Sequence, residues 1–132
     1  MPQSTLVKKL GIHPGMLILI LNPPPDYLQS LTELPAEVVV SLQPAGLYDL
    51  VQLFIRDSAE FQTSSPAALK SVRYDGLFWL CYPKKSGAIK SDLSREAVWQ
   101  LMDGSGLRPV SQISIDDSWS ALRFRPIERV GK

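Results

Sequence analysis

Two uninterrupted runs of six apolar residues constrain the fold of this chain more than any other feature: Met16-Leu17-Ile18-Leu19-Ile20-Leu21 and Leu77-Phe78-Trp79-Leu80-Cys81-Tyr82. Neither alternates with polar residues, so neither suits a strand with one wet face. Gly15 and Asn22-Pro23 bound the first run, and Gly76 and Pro83 the second, too closely for helices. Short buried runs bounded in this way predict central strands of a parallel sheet covered on both faces. The length of 132 residues suits one domain over 1–132, with residues 1–10 a lead-in and 128–132 a tail, both expected to be flexible.

The segments around the runs supply the crossovers that a parallel sheet needs. Thr5 to Leu10 can make a helical turn ended by Gly11 and Pro14. Pro23-Pro24-Pro25 forces extended backbone. From Asp26 to Leu34, Tyr27, Leu28, Leu31 and Leu34 recur at helical spacing, with Asp26 as the expected N-cap. Glu37 to Leu42, with Val38-Val39-Val40, reads as a strand. Tyr48 to Ile55 fits a helix or a strand by its apolar spacing, and the preceding Gly46 turn favours a strand. Ser58 to Val72 reads as a helix in two pieces, the second starting at Ser65-Pro66. Lys84 to Ser91 is a polar loop. Asp92 or Ser94 caps a helix with Ala97, Val98, Leu101 and Met102 on its apolar face, ended by Gly104 or Gly106. Val110 to Ile115 and Trp119 to Ile127, joined by Asp116-Asp117-Ser118, close the chain as a hairpin. Right-handed crossovers leave few layouts. The expected one is a three-layer, Rossmann-like α/β fold: a mainly parallel sheet of strand order 2-1-3-4-6-5, antiparallel only in its last strand.

Composition narrows the function classes. A formal net charge of +1 argues against a broad basic surface for nucleic acid or anionic membrane, and neither partner is expected. Cys81 and His13 are each the only residue of their type, so no disulfide within the chain and no cysteine-based metal site is possible, and no metal is expected. A lone thiol suits a reducing compartment. Lys8-Lys9 ahead of Met16–Leu21 mimics a secretory leader, but Gly11, Pro14 and Gly15 interrupt it. The run is also far below the roughly 20 residues of a spanning helix. A cytoplasmic location is the expectation.

Three segments carry a family resemblance: Lys9-Leu10-Gly11-Ile12-His13-Pro14-Gly15-Met16, Leu77-Phe78-Trp79-Leu80-Cys81-Tyr82-Pro83-Lys84, and Ile115-Asp116-Asp117-Ser118-Trp119-Ser120-Ala121-Leu122-Arg123-Phe124-Arg125-Pro126. In wording and order they resemble the bacterial proteins grouped as domain of unknown function 3052, from about Leu6 to Pro126, a family that implies no established activity. The order of elements also resembles a shortened class I methyltransferase with its closing antiparallel hairpin. Such enzymes bind S-adenosylmethionine through a Gly-rich loop after the first strand. Here Asn22-Pro23-Pro24-Pro25 stands in that place, and Leu42-Gln43 stands where the second strand would end in an acidic residue. No cofactor is therefore expected, and S-adenosylmethionine is an unlikely ligand. Asn22-Pro23-Pro24 is also similar to the Asn-Pro-Pro-aromatic motif of adenine methyltransferases. Pro25 replaces the aromatic residue, so a rigid strand-to-helix connection is the expected role.

Ligands of open α/β sheets sit outside the carboxyl ends of the strands. Asn22, Arg56, Lys84, Lys85, Asp116 and Asp117 come from distant parts of the chain to that one edge. The lysines can hold a phosphate or carboxylate as point charges, and the aspartates can orient them or bind a cation. Solvated lysines and an ordinary Asp turn are the structural alternative. Arg123 and Arg125 are expected to pair with Glu128 or Asp117, or to keep an edge strand soluble. The leading expectation is a non-catalytic, methyltransferase-like domain that binds a small anionic ligand or a protein partner. The alternatives are an enzyme acting at the same edge and a purely structural assembly module.

Overall fold

The computed structural model describes residues 5–31, 33–85, 87 and 89–131. Its elements are α1 (Thr5–Leu10), β1 (Leu17–Leu21), α2 (Tyr27–Ser30), β2 (Val39–Ser41), β3 (Tyr48–Phe54), α3 (Ser58–Ser71), β4 (Val72–Pro83), α4 (Arg95–Leu101), β5 (Leu107–Ser114) and β6 (Trp119–Pro126). They form a six-stranded sheet of order β2-β1-β3-β4-β6-β5. β1 pairs in parallel with β2 and β3, and β3 with β4, whereas β6 runs antiparallel to both β4 and β5. The strand order and the single reversed strand are those expected from the two apolar runs.

Both runs lie where cover on both faces is needed. On one face Leu19, Val51, Leu53, Phe78, Leu80, Leu122 and Phe124 pack with Phe61 and Ala68 of α3 and Val98 and Met102 around α4. On the other, Ile18, Ile20, Leu50, Trp79, Cys81 and Ala121 meet Val7 and Leu10 of α1 and Tyr27 and Leu31 around α2. Each large apolar side chain removed from water in this way contributes about 1.5–3 kcal/mol. α1 is closed by left-handed Gly11 (φ 82°), whose N–H reaches Lys8 O while Ile12 N reaches Val7 O. These are the two bonds of a Schellman cap. Trp79 Nε1 donates to Leu10 O at 3.1 Å and so docks the lead-in helix on the sheet.

Three expectations need correction. α2 is one turn rather than a helix to Leu34, and Asp26 does not cap it. Tyr27 N bonds Pro24 O, which closes a turn with Pro25 second and Asp26 third. Asp26 therefore takes φ 67°, ψ 0°, the third-position geometry of a type II turn. α3 is one continuous helix through Pro66, not two pieces. Proline removes a single backbone bond there while its ring stays exposed, and Phe61, Ser65, Ala68 and Ser71 keep one buried stripe. Of the two expected caps of α4, Ser94 is the one used, by accepting from Ala97 N at 3.1 Å. Asp92 instead accepts from Ser58 N and Oγ at the start of α3. Finally, Arg125 pairs with Asp75, and β6 is not an edge strand. Arg125 Nε and Nη2 each lie 2.9 Å from a carboxylate oxygen of Asp75.

Asp75 is presented by an irregularity in β4. Val72 pairs with Tyr48 but Leu77 with Leu50, so residues 73–76 bulge outward. A Cβ on Gly76 would sit 3.0 Å from Arg73 O and Asp49 O, which leaves no side chain room at that position. Arg129 Nε also reaches Asp75, at 3.3 Å, and the Tyr74 hydroxyl donates to Glu128 at 2.7 Å, so both tail residues contact the bulge.

Candidate functional site at the carboxyl edge of the sheet

The parallel strands bring β1, β2, β3, β4 and β5 to one edge, where their carboxyl ends and the start of β6 meet. At the end of β1, Asn22 is left-handed (φ 57°). Its Nδ2 donates to Phe54 O at 3.3 Å and Ser64 Oγ at 2.9 Å, so it clamps β1 to β3 and α3. Asn and Asp tolerate this backbone region better than other residues with a Cβ, because their short polar side chains bond locally. With Asn22 and Asp26 the β1–α2 turn thus has two left-handed positions and no glycine. Below it the Tyr27 hydroxyl donates to Oε1 of Gln52 at 3.0 Å, and Gln52 Nε2 faces Cys81 Sγ at 3.8 Å. Burial pushes the Tyr27 hydroxyl and the Cys81 thiol well above their ordinary pKa values, so both stay neutral.

Beside the end of β2 lies an apolar cavity of about 320 Å³, lined by Leu28, Leu31, Leu34, Val40 and Leu42. Leu28 and Leu42 are partly open to solvent.

Arg56 lies in the connection between β3 and α3. Its N–H and Nη1 donate to Glu60, whose own N–H donates to Asp57. Its carbonyl accepts from the Ser91 hydroxyl, which ties the 84–91 loop to the β3–α3 connection. At the other end of that loop, Lys84 N donates to Ser118 O at 2.8 Å and Lys84 Nζ to Ser114 Oγ at 2.6 Å. Asp116 Oδ1 accepts from Ser118 N and Trp119 N, the local bonding expected of an Asp turn. Lys84 therefore does meet the Asp116–Asp117 turn at one end of the sheet.

The six expected site residues do not share one cavity. Lys84 and Lys85 line two neighbouring hollows of about 450 and 420 Å³, which Asn22, Arg56, Asp116 and Asp117 do not line. Lys90 and Arg95 were missed. Lys90 lies in the same polar loop as Lys84 and Lys85, where three lysines within seven residues were the available signal. Arg95 opens α4 and stacks over the Trp99 ring at 5.4 Å. Among the described residues no group of His, Cys, Asp and Glu side chains could hold a metal ion. Among them, too, no helix is long and apolar enough to cross a membrane.

Comparison with known structures agrees on the architecture. The chain is similar to the N-methyltransferase NodS from Bradyrhizobium japonicum WM9 in complex with S-adenosyl-L-homocysteine, with a TM-score of 0.61 and 12% identity over 93% of this chain and 85% of that one. A SAM-dependent methyltransferase from Aquifex aeolicus gives 0.60 and 13% over 92% and 88%. Magnesium protoporphyrin IX methyltransferase (ChlM) from Synechocystis PCC 6803, with bound SAH, gives 0.56 and 10% over 90% and 77%. This chain has a methyltransferase-like fold. No family model matches it. No curated protein sequence matches it either.

The methyltransferase-like fold corrects the cofactor expectation. S-adenosylmethionine was set aside because no glycine follows β1, yet NodS and ChlM hold S-adenosylhomocysteine on the same architecture. Asn22 and Asp26 form a left-handed turn there without glycine. The apolar cavity at the end of β2 stands next to that turn.

Proposed function

We propose that this domain binds S-adenosylmethionine or its demethylated product at the carboxyl edge of β1 and β2, together with a small anionic ligand further along the edge. One observation carries the reading: a glycine-free left-handed turn after β1 stands beside a 320 Å³ apolar cavity at the end of β2. Leu28, Leu31, Val40 and Leu42 would hold the adenine ring, and the exposed Asp26 carboxylate would accept from polar groups of the ligand. When bound, the cofactor supplies a methyl group on a sulfonium. The chain's own contribution is to position it, through the Asn22 clamp and the Tyr27–Gln52 bond beneath the turn. The resemblance of three segments to the domain of unknown function 3052 proteins, and a cytoplasmic location, belong to the same reading. The SAH-bound neighbours support it at the level of fold.

Calorimetric titration with S-adenosylmethionine, S-adenosylhomocysteine and adenosine tests the proposal. Saturable micromolar binding is expected, lost in Leu28→Glu and Leu42→Glu, whose side chains are partly exposed and so leave the core intact. Absence of heat with all three compounds, or binding unaltered in both variants, would overturn it.

A further inference from the structure

From the cavities at the end of β4 we infer a second-ligand site for a small molecule that carries a phosphate or carboxylate group on an apolar body. The inference deepens the reading above by naming the chemical class of the ligand that shares the edge with the adenosyl compound.

The wall is built, not merely a solvated loop. The 84–91 segment is fastened at one end to the β5–β6 tip through Lys84 and at the other to the β3–α3 connection through Ser91. Between these anchors Gly87 passes so close to the tip that an added Cβ would lie 3.1 Å from Ser118 Cα and 3.3 Å from Asp117 O. Ser91 Oγ also accepts from Leu93 N, and Leu93 is buried at the back of both hollows. The hollows share Pro83, Lys84, Lys85 and Leu93, so the two lysines stand on the ridge between them.

The charge is unbalanced there. Lys84, Lys85, Lys90 and Arg95 line the two hollows against a single carboxylate, Glu96, in a chain whose formal net charge is only +1. The nearby cation Arg56 is already matched by Glu60. Among the described residues no carboxylate forms an ion pair with any of the three lysines, and the one partner of Lys84 Nζ is the neutral Ser114 hydroxyl. Three ammonium groups around one concave surface repel one another, and an anion between them removes that cost. Lysine ammoniums act as mobile point charges, which suits phosphate and carboxylate alike. The apolar faces of Ile89 and Leu93 offer contact to the rest of such a molecule.

The test titrates the full chain with inorganic phosphate and, separately, with citrate, at constant ionic strength so that general screening does not register. Saturable binding of at least one anion is expected, weakened tenfold or more in Lys84→Gln/Lys85→Gln. It should be unchanged in Lys8→Gln/Lys9→Gln, on α1 outside both hollows. Preference between phosphate and citrate tells which acid group the site serves. Lys85→Gln/Lys90→Gln provides a second variant that leaves the Lys84–Ser114 bond in place, should loss of that bond impair folding. No saturation by either anion, or equal binding by the 84/85 and 85/90 variants and the parent, overturns the inference. Titrating the same variants with S-adenosylmethionine separates the two proposals, because neither Lys84 nor Lys85 lines the β2 cavity. Anion binding without adenosyl binding retains this site and removes the other, and the reverse result does the opposite.

Discussion

The Tyr27 hydroxyl donates to Gln52 Oε1 across 3.0 Å, within the apolar layer between α2 and the centre of the sheet. Gln52 is wholly buried, so the bond matters through what its loss would leave behind. Gln52→Leu strands the Tyr27 hydroxyl in an apolar layer, which costs about 1–3 kcal/mol. Adding Tyr27→Phe removes the stranded group, and the double variant should recover most of that loss. Denaturant unfolding of the two single variants and the double variant checks this. Additive losses would show that the pair does not act as a unit.

The left-handed turn after β1 makes a second prediction. Asn22→Ala loses both side-chain bonds and places an alanine at φ 57°, a left-handed position that costs about 1–2 kcal/mol on its own. Asn22→Gly loses the same bonds but relieves the backbone, so it should be the more stable of the two. Asp26→Gly, at the third position of a type II turn, should be neutral or stabilising. Equal melting temperatures for Asn22→Ala and Asn22→Gly would contradict the backbone argument.

These two residues also show where sequence reasoning stopped. The runs 16–21 and 77–82 were legible because six apolar residues between breakers have one economical place, the middle of a covered sheet. Strand order followed, since crossover handedness leaves little choice. Asp26 was misread as a cap because Asp suits both a helix start and a left-handed turn, and only the Tyr27–Pro24 bond decides between them. Pro66 looked like a helix start by local preference, but a buried stripe on both sides of it outweighs one missing bond. The lysine end of the site was half legible. Lys84 and Lys85 follow a predicted strand directly, whereas Arg95 joins them only through the packing of α4. The adenosyl expectation rested on two short segments, Asn22-Pro23-Pro24-Pro25 and Leu42-Gln43, whereas the likeness to SAH-bound methyltransferases lies in the arrangement of the whole sheet.

Acid stability should report on the β4 bulge. Hydrogen bonds and charge from Arg125, joined by Arg129, hold the Asp75 carboxyl below the usual carboxylate range. A depressed folded-state value means that its stabilising contribution is complete above about pH 4, the ordinary value in an unfolded chain. It is lost as pH falls through the lower folded value. Asp92, held down by Ser58, and Glu128, held down by Tyr74, act in the same direction. Asp75→Asn should therefore lower stability at pH 7 and flatten its fall between pH 5 and pH 2, as followed by thermal melts. A parallel curve, merely displaced, would exclude Asp75 as a contributor.

Gly76 and Gly87 predict opposite outcomes from the same substitution. At Gly76 an added Cβ meets backbone oxygens of Arg73 and Asp49 at 3.0 Å, within the bulge that interrupts the β3–β4 ladder. The paired residues on either side of the bulge hold both oxygens, so Gly76→Ala should cost about 1–3 kcal/mol, as overpacking does elsewhere. The carboxyl edge lies at the other end of β4, so ligand binding by the folded fraction should be unchanged. At Gly87 the added Cβ meets Ser118 Cα at 3.1 Å and Asp117 O at 3.3 Å, both on the hairpin tip rather than in the sheet interior. The loop can relieve that contact by lifting, at little expense to the core. Lifting it displaces Lys84 from Ser114 and Lys85 from the ridge between the hollows. Gly87→Ala should thus melt within a few degrees of the parent chain yet bind phosphate or citrate several-fold more weakly. Unfolding curves paired with anion titrations distinguish the two. If Gly87→Ala bound the anion as the parent does, the close approach of loop and hairpin tip would not be what sets the lysines in place.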